Sequence, residues 1–374
     1  MTLNGVLSIN RTVLTRTLPF DDSVAKKEII PMDEFLSLDQ LAFKMTKLVM
    51  LEVAYEGQRS SSYREASEEL SKKLGYKIST SLVRDVTIFV GNIVYQNDLQ
   101  KALKTEHDRI NSTHKVEKGE KKKGILNILM DGATLNTIVK DKKGSTWREN
   151  KLGMSFASTN VIKRGTKENN GYTITKKEYT AYVGSVNEFS KFLYQIAINQ
   201  GYGQYETTNV LGDGALWIWN LCDRLFPDAQ QILDKYHLDE NIYNFAKYAF
   251  KHNESQYAPW AKKIINLIMD GQVSRVYIEI DNLGIKQIPK NVVDLKNYIK
   301  NNESRIDYPT YKAKGYYIGS GPIESANKTV LQKRFKQAGM RWSVESAQPL
   351  LTLRAKVESG LWSEVIDLVM RFTP

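Results

Sequence analysis

The sequence predicts an α/β domain preceded by a mostly helical region, and three observations point there. Apolar runs between residues 124 and 227 follow one another in the order β-β-β-α-β-α. Two of the strand-like runs, ILNILMDG and TTNVLGDG, end in an acid followed by glycine. On either side of this stretch the apolar residues recur at helical rather than alternating spacing.

Residues 1–45 carry little pattern, although Phe20, Asp21 and Asp22 suggest a turn. Residues 40–56 (QLAFKMTKLVMLEVAYE) have helical spacing. Ser62 is placed to cap a helix ending near Leu74, with Glu65 as its capping-box partner and Gly75 as its breaker. Ser79 to Ser81 cap a second helix, expected to run to about Tyr95. Helix, short turn, helix over 60–96 is the outline of a helix-turn-helix, and equally of two packed helices with no ligand. Residues 96–123, with the charged stretch KVEKGEKKK, are expected to be a linker.

After Gly124 come the strands ILNILMDG, KLGMSFAS and EYTAYVG, then a helix from Gly184, the strand TTNVLGDG and the helix ALWIWNLCDRLF. Residues 228–300 read as mostly helical and interrupt this pattern. A Gly-rich turn, GYYIGSGPIES, opens a further helix expected over ANKTVLQKRFKQAGM, and the tail (SVESAQPLLTLRAKVES, LWSEVIDLVMRF) is helical.

Composition narrows the function classes. Lys and Arg outnumber Asp and Glu 53 to 42, a formal net charge of +11 that favours a polyanionic partner. One cysteine, Cys222, and four scattered histidines build neither a disulfide framework nor a Cys-rich zinc site. No apolar run approaches the roughly 18 residues of a membrane span, and the N-terminus lacks a secretory pattern. A cytoplasmic, DNA-associated protein with no membrane partner is expected.

The chemistry-bearing candidates are acids. Asp131 in MDGAT and Asp213 in LGDGALWIW stand at expected strand ends, where ligand sites form, each followed by a glycine that permits close approach. Two carboxylates on neighbouring strand ends repel unless a cation lies between them, and Mg²⁺ takes such hard oxygens. Glu324 in GSGPIESANK falls in the first turn of a helix opened by Gly321 and Pro322; an acid there also satisfies the helix dipole. Lys328, Lys333, Arg334, Lys336 and Arg341 follow Glu324, a basic cluster suited to a phosphate backbone or simply to solvent. Arg84 lies in the second helix of the 60–96 pair.

The blocks MDGA, LGDGALWIWNL, FPDAQQILDKYH and GSGPIESANKTVLQKRFKQAGMRWS resemble insertion-sequence DDE transposases, the mutator-like group and its bacterial relatives. The resemblance runs from about residue 124 to 362, and GSGPIES with the downstream GMRWS is its most specific piece. It implies an RNase H-like mixed sheet with flanking helices, interrupted by an all-helical insertion between the second acid and the third. It also implies that Asp131, Asp213 and Glu324 are catalytic and hold two Mg²⁺ ions, with Mn²⁺ an alternative. Asp234 and His237 match an acid-x-x-His element of the same family and are candidates for shaping the site; a pair bonded to each other for packing fits as well. Trp217 and Trp219 follow Asp213, one at least expected in the core.

The implied activity is cutting of the element's ends and joining of the 3′-OH to target DNA, by a homo-oligomer assembled on double-stranded DNA. The rivals are an RNase H-like nuclease without strand transfer and a non-enzymatic DNA-binding regulator acting through residues 60–96. The division that follows is a helical DNA-binding region at 1–123, a first part of the core at 124–227, a helical insertion at 228–315, and the last part of the core with C-terminal helices at 316–374.

Overall fold

A computed structural model describes residues 14–16, 27–29, 42–111, 120–141, 143–164, 171–285 and 287–373. The turn expected at Phe20, Asp21 and Asp22 lies outside them, as does the first part of the KVEKGEKKK stretch. A short antiparallel ribbon pairs β1 (Leu14–Arg16) with β2 (Lys27–Ile29). The fold is mixed α/β. Two compact units divide it: Met1–Asn97 with Lys333–Pro374, and Asp98–Gln332. Among the described residues no helix is long and apolar enough to cross a membrane.

The first unit is helical. Helix α1 (Lys47–Arg59) leads to α2 (Tyr63–Leu74). The capping box forms at the start of α2: Glu65 N donates to Ser62 Oγ at 3.1 Å, and the Glu65 carboxylate accepts from Ser61 N at 2.7 Å, one residue further out than expected. Gly75 closes α2 at φ 74°, the left-handed conformation that favours glycine. Helix α3 (Thr80–Ile110) continues well past Tyr95. The expected linker was read from charge, but residues 96–110 hold no Gly or Pro to stop a helix, and Ala102 is fully buried. Met45, Val49, Val53, Leu70, Ile78, Val86 and Val90 form the core of this unit with Leu353, Val365 and Val369 from the end of the chain. The latter lie on α13 (Val344–Glu358) and α14 (Trp362–Arg371), which follow the short α12 (Lys333–Phe335).

The second unit is built on a five-stranded mixed sheet of order β7-β4-β3-β8-β9. Strands β3 (Lys122–Asn136), β4 (Trp147–Ala157) and β7 (Glu178–Val183) are antiparallel neighbours, while β8 (Tyr205–Gly212) and β9 (Gln230–Leu233) run parallel to β3. A separate hairpin, β5 (Val161–Arg164) with β6 (Gly171–Ile174), was not anticipated. Nor was β9, which lies in a stretch read as helix. A four-residue strand is too short to show a period, and QQIL offers no alternation.

Helices α4 (Val186–Asn199) and α5 (Leu216–Leu225) cover one face of the sheet. Gly153 leaves no room for a Cβ there, which would stand 2.6 Å from Leu193, and a Cβ on Gly212 would stand 2.7 Å from Ile218. On the other face Phe156 meets Tyr317 edge-on at 5.4 Å. After β9 the chain is helical, through α6 (Lys235–Ala249), α7 (Glu254–Met269), α8 (Val273–Asp281), α9 (Leu295–Asn301) and α10 (Tyr308–Ala313). The single helix expected after GSGPIES is instead α11 (Gly321–Ala326), a π-helical turn over Asn327–Gln332 and the short α12.

Packing in the first unit yields a stability test. A Cβ on Gly91 in α3 would lie 2.6 Å from the Pro349 carbonyl oxygen of α13, a backbone atom that cannot swing aside. Gly91→Ala should therefore lower the unfolding free energy by about 1–3 kcal/mol in chemical denaturation. Unchanged stability would show that α13 does not pack at this place.

Candidate active site

The parallel registers bring carboxylates into line. Leu129 of β3 is level with Leu211 of β8, so Asp131 and Asp213, each two residues further on, leave the paired stretch side by side. Gly212 is level with Leu233 of β9, so the next residue on each chain places Asp234 beside Asp213. Asp131 is not at a strand end as expected: β3 continues to Asn136, paired with β4 alone. It stands instead where β8 stops.

A buried amide pair sets the register. Asn127 and Asn209 are level neighbours, 0% and 1% exposed, and Asn209 Nδ2 donates to Asn127 Oδ1 at 3.2 Å. Each lies four residues before an acid, so the motif N-x-x-x-D-G occurs in both strands. With period 2 along a strand, asparagine and acid share a face. This repeat was the overlooked signal in the sequence.

Asp234 is the N-cap of α6, accepting from Tyr236 N at 3.1 Å and His237 N at 3.3 Å. It precedes the helix that carries His237. Its carboxylate also accepts from Ser320 N at 2.9 Å, and Lys235 N donates to Ile318 O at 2.9 Å. With the Asn209 Nδ2 bond to Tyr317 O at 3.3 Å, these contacts hold residues 317–320 against the ends of β8 and β9. Asp234 is thus a positioning residue for the segment that opens α11.

Helix α11 carries Glu324, which is exposed and accepts a hydrogen bond from Ser320 Oγ. Three residues on, Asn327 donates through Nδ2 to Asp131 Oδ2, fixing this helix on β3. Asn327 and Ser320 were not singled out from sequence, although E-x-x-N is the spacing that puts two side chains on one helical face. His237 Nε2 stands 3.9 Å from Asp213 Oδ2 and its Nδ1 3.5 Å from Glu240 Oε2. Asp213 Oδ1 accepts from Ala215 N at 2.8 Å. Trp219 is buried beneath the Arg305 guanidinium, 4.5 Å from its ring centre, while Trp217 meets Phe189 edge-on at 6.1 Å.

Electrostatically the site is strained. Burial first, then the neighbouring Asp213 charge, push the Asp131 carboxyl up to about 6, although Asn327 and the Gly132 N–H favour its ionised form. Burial likewise raises Asp234, against hydrogen bonds from Ser320 and Tyr236. Among the described residues no three His, Cys, Asp or Glu side chains form a group placed to hold a metal ion. The donor chemistry nevertheless suits a divalent cation. Two level carboxylates repel one another, and Asn327, bonded to one of them, has a buried Oδ1 without a hydrogen-bond partner.

The basic residues separate into two groups. Lys328, Lys333, Lys336 and Arg341 are exposed, as is Arg84, whose Nε donates to Asp85 Oδ1 at 2.8 Å. Arg334 corrects the expectation of a phosphate contact. It is 1% exposed, with its guanidinium 4.2 Å from the Tyr63 ring centre and 5.1 Å from that of Trp342. It donates to Gly57 O at 3.5 Å and Ser61 O at 3.4 Å. Charge alone did not reveal that α12 turns this one side chain inward.

No protein-family model matches the chain, and no curated protein does. Among solved structures it is similar to one described as the Drosophila P element transposase strand transfer complex. The identity is 10% and the TM-score 0.37, over 86% of this chain and 94% of that one. A likeness at that score is one of loose outline and leaves fold and chemistry to be read from this chain's own residues.

The Asp131 shift predicts a pH dependence. A folded-state value of about 6 exceeds the ~3.9 of an unfolded aspartate, so between these values the native protein binds a proton that the unfolded chain lacks. This carboxyl's stabilising contribution is present below about pH 4 and is lost as pH rises through about 6. Asp131→Asn removes the dependence. In chelator, its stability relative to wild type should rise between about pH 4 and 7 and then level off. A difference that stays flat across a denaturation series would contradict the shift.

Proposed function

We propose that this chain is a DNA transposase whose Asp131, Asp213 and Glu324 hold two Mg²⁺ ions, or Mn²⁺, and that its sheet is RNase H-like. The observation that carries the reading is the level placement of Asp131 and Asp213, with the Glu324 helix fixed to Asp131 through Asn327. Counted in order of appearance, the strands of the sheet run third, second, first, fourth, fifth, with the last two parallel to the first. This order sets the first and fourth strands side by side, which is where the two aspartates are needed.

In such a site the ions, when bound, activate the attacking oxygen and stabilise the leaving one during phosphodiester cleavage and joining. The chain's own residues do the rest. Asp131 and Asp213 bind from adjacent strands, and Glu324 does so from the first turn of α11. Asp234 holds the approach to that turn through Ser320 N. His237, 3.9 Å from Asp213, orients that carboxylate. Lys328, Lys333, Lys336 and Arg341 offer exposed charge to duplex phosphates, and Arg84 at the start of α3 offers a contact for element-end DNA. A homo-oligomer bringing two ends together belongs to the same proposal.

Asp213→Asn keeps the shape of the side chain and removes its charge. It should abolish nicking of element-end DNA while affinity in a gel shift stays within about twofold, because binding derives mainly from Lys and Arg on phosphates. Parallel loss of both would make Asp213 structural. Cleavage without joining, in a strand-transfer assay with pre-cut ends, would reduce the reading to a nuclease.

The basic residues predict a salt signature. Lys333→Ala with Lys336→Ala should flatten the slope of log affinity against log salt by about 0.9 per contact, equally on element-end and random DNA. Arg84→Ala should weaken binding to element-end DNA selectively. An unchanged slope for the lysine pair would mean that these charges face solvent only.

A further inference from the structure

Asn327 is the residue of the site that the reading above leaves unused as a ligand. It opens the π-helical turn Asn327–Gln332, directly after the helix that carries Glu324. Single π turns are rare and concentrate at functional sites, because the extra residue in the turn re-aims a side chain. The side chain aimed here is 6% exposed. Its Nδ2 donates to Asp131 Oδ2, while its Oδ1 is buried with no hydrogen-bond partner.

That unpartnered oxygen calls for a physical reason. A buried acceptor left unsatisfied is costly, because it has given up its bonds to water for nothing. Alanine at this position would remove the orphan. The amide that carries this oxygen is bonded to the Asp131 carboxylate, and Asp213 stands level with Asp131 on the next strand. The oxygen's natural complement is therefore a cation. Amide and carboxylate oxygens together are the donor set that Mg²⁺ and Mn²⁺ accept. The two ends of one amide then have two roles: the N–H holds Asp131 in place, and the oxygen faces the ion.

We propose that Asn327 is a further oxygen donor of the divalent-ion site, acting directly or through a bound water, and that it positions Asp131 as a ligand. This rests on the reading of Asp131, Asp213 and Glu324 as ion-binding, so the test separates the two. Mn²⁺ is titrated calorimetrically into the full chain without DNA. Wild type should bind Mn²⁺, and Asn327→Ala should bind it about 10–100-fold more weakly, with duplex DNA affinity in chelator unchanged. Wild type that binds no Mn²⁺ overturns the ion site as a whole. Wild type and Asn327→Ala that bind alike overturn the role of Asn327 alone. Should Asn327→Ala fail to fold, Asn327→Asp decides. It keeps the oxygen, loses the donor and adds a charge beside Asp131. Its metal-free Tm should fall below that of wild type and its Mn²⁺-induced rise in Tm should be larger; a rise equal to or smaller than wild type's overturns the proposal.

Discussion

The site depends on one interaction, the hydrogen bond between the buried amides of Asn127 and Asn209. Parallel strands joined by backbone bonds alone can slip, and a slip of one residue turns every side chain to the other face. Here a slip would bury two amides without their partner, at about 1–3 kcal/mol for each unsatisfied group. The pairing keeps Leu129 level with Leu211, and the two aspartates follow from it. Asn209 also donates to Tyr317 O, so the residue that sets the strand register also takes part in placing the segment that leads to Glu324.

The helices between β9 and α11 are fastened to the same strand ends. Tyr298 Oη donates to Asp213 O at 3.0 Å and Tyr308 Oη to Leu233 O at 2.9 Å. Strand-terminal carbonyls that have lost their ladder partners must be satisfied somewhere, and two tyrosines from the helical stretch do so. Asp234 closes the circuit by capping α6 and accepting from Ser320, a residue 86 positions away. A long excursion in the chain thus returns to the point it left, bringing the segment that opens α11 back to β8 and β9.

Much of this was legible in the sequence because local rules and tertiary structure agree. The strands around Asp131 and Asp213, the capping of α2 and the two terminal helices all follow from period and caps. What failed was what those rules do not encode. β9 is too short to show a period. The extent of α3 was masked by charge, which is compatible with helix as well as with linker. The inward turn of Arg334 depends on Tyr63 and Trp342, which pattern does not connect to it. The N-x-x-x-D-G repeat has its meaning in a pairing between strands, which no pattern along one strand displays.

Arg334, fully buried, and Asp131, half-buried, show how differently two charges are accommodated. Arg334 packs at the C-terminal end of α1, where the helix dipole is negative, against the carbonyls of Gly57 and Ser61 and beside two aromatic rings. Arg354 donates to the neighbouring Gln58 carbonyl. There the protein itself supplies the compensation. At Asp131 it supplies hydrogen bonds from Asn327 and Gly132, but sets beside them the like charge of Asp213, and the carboxyl rises to about 6. Selection for stability alone would favour a neutral amide at that position. The buried cation of the first unit is thus compensated by the protein itself, whereas the half-buried carboxylate of the second is left in conflict with its neighbour.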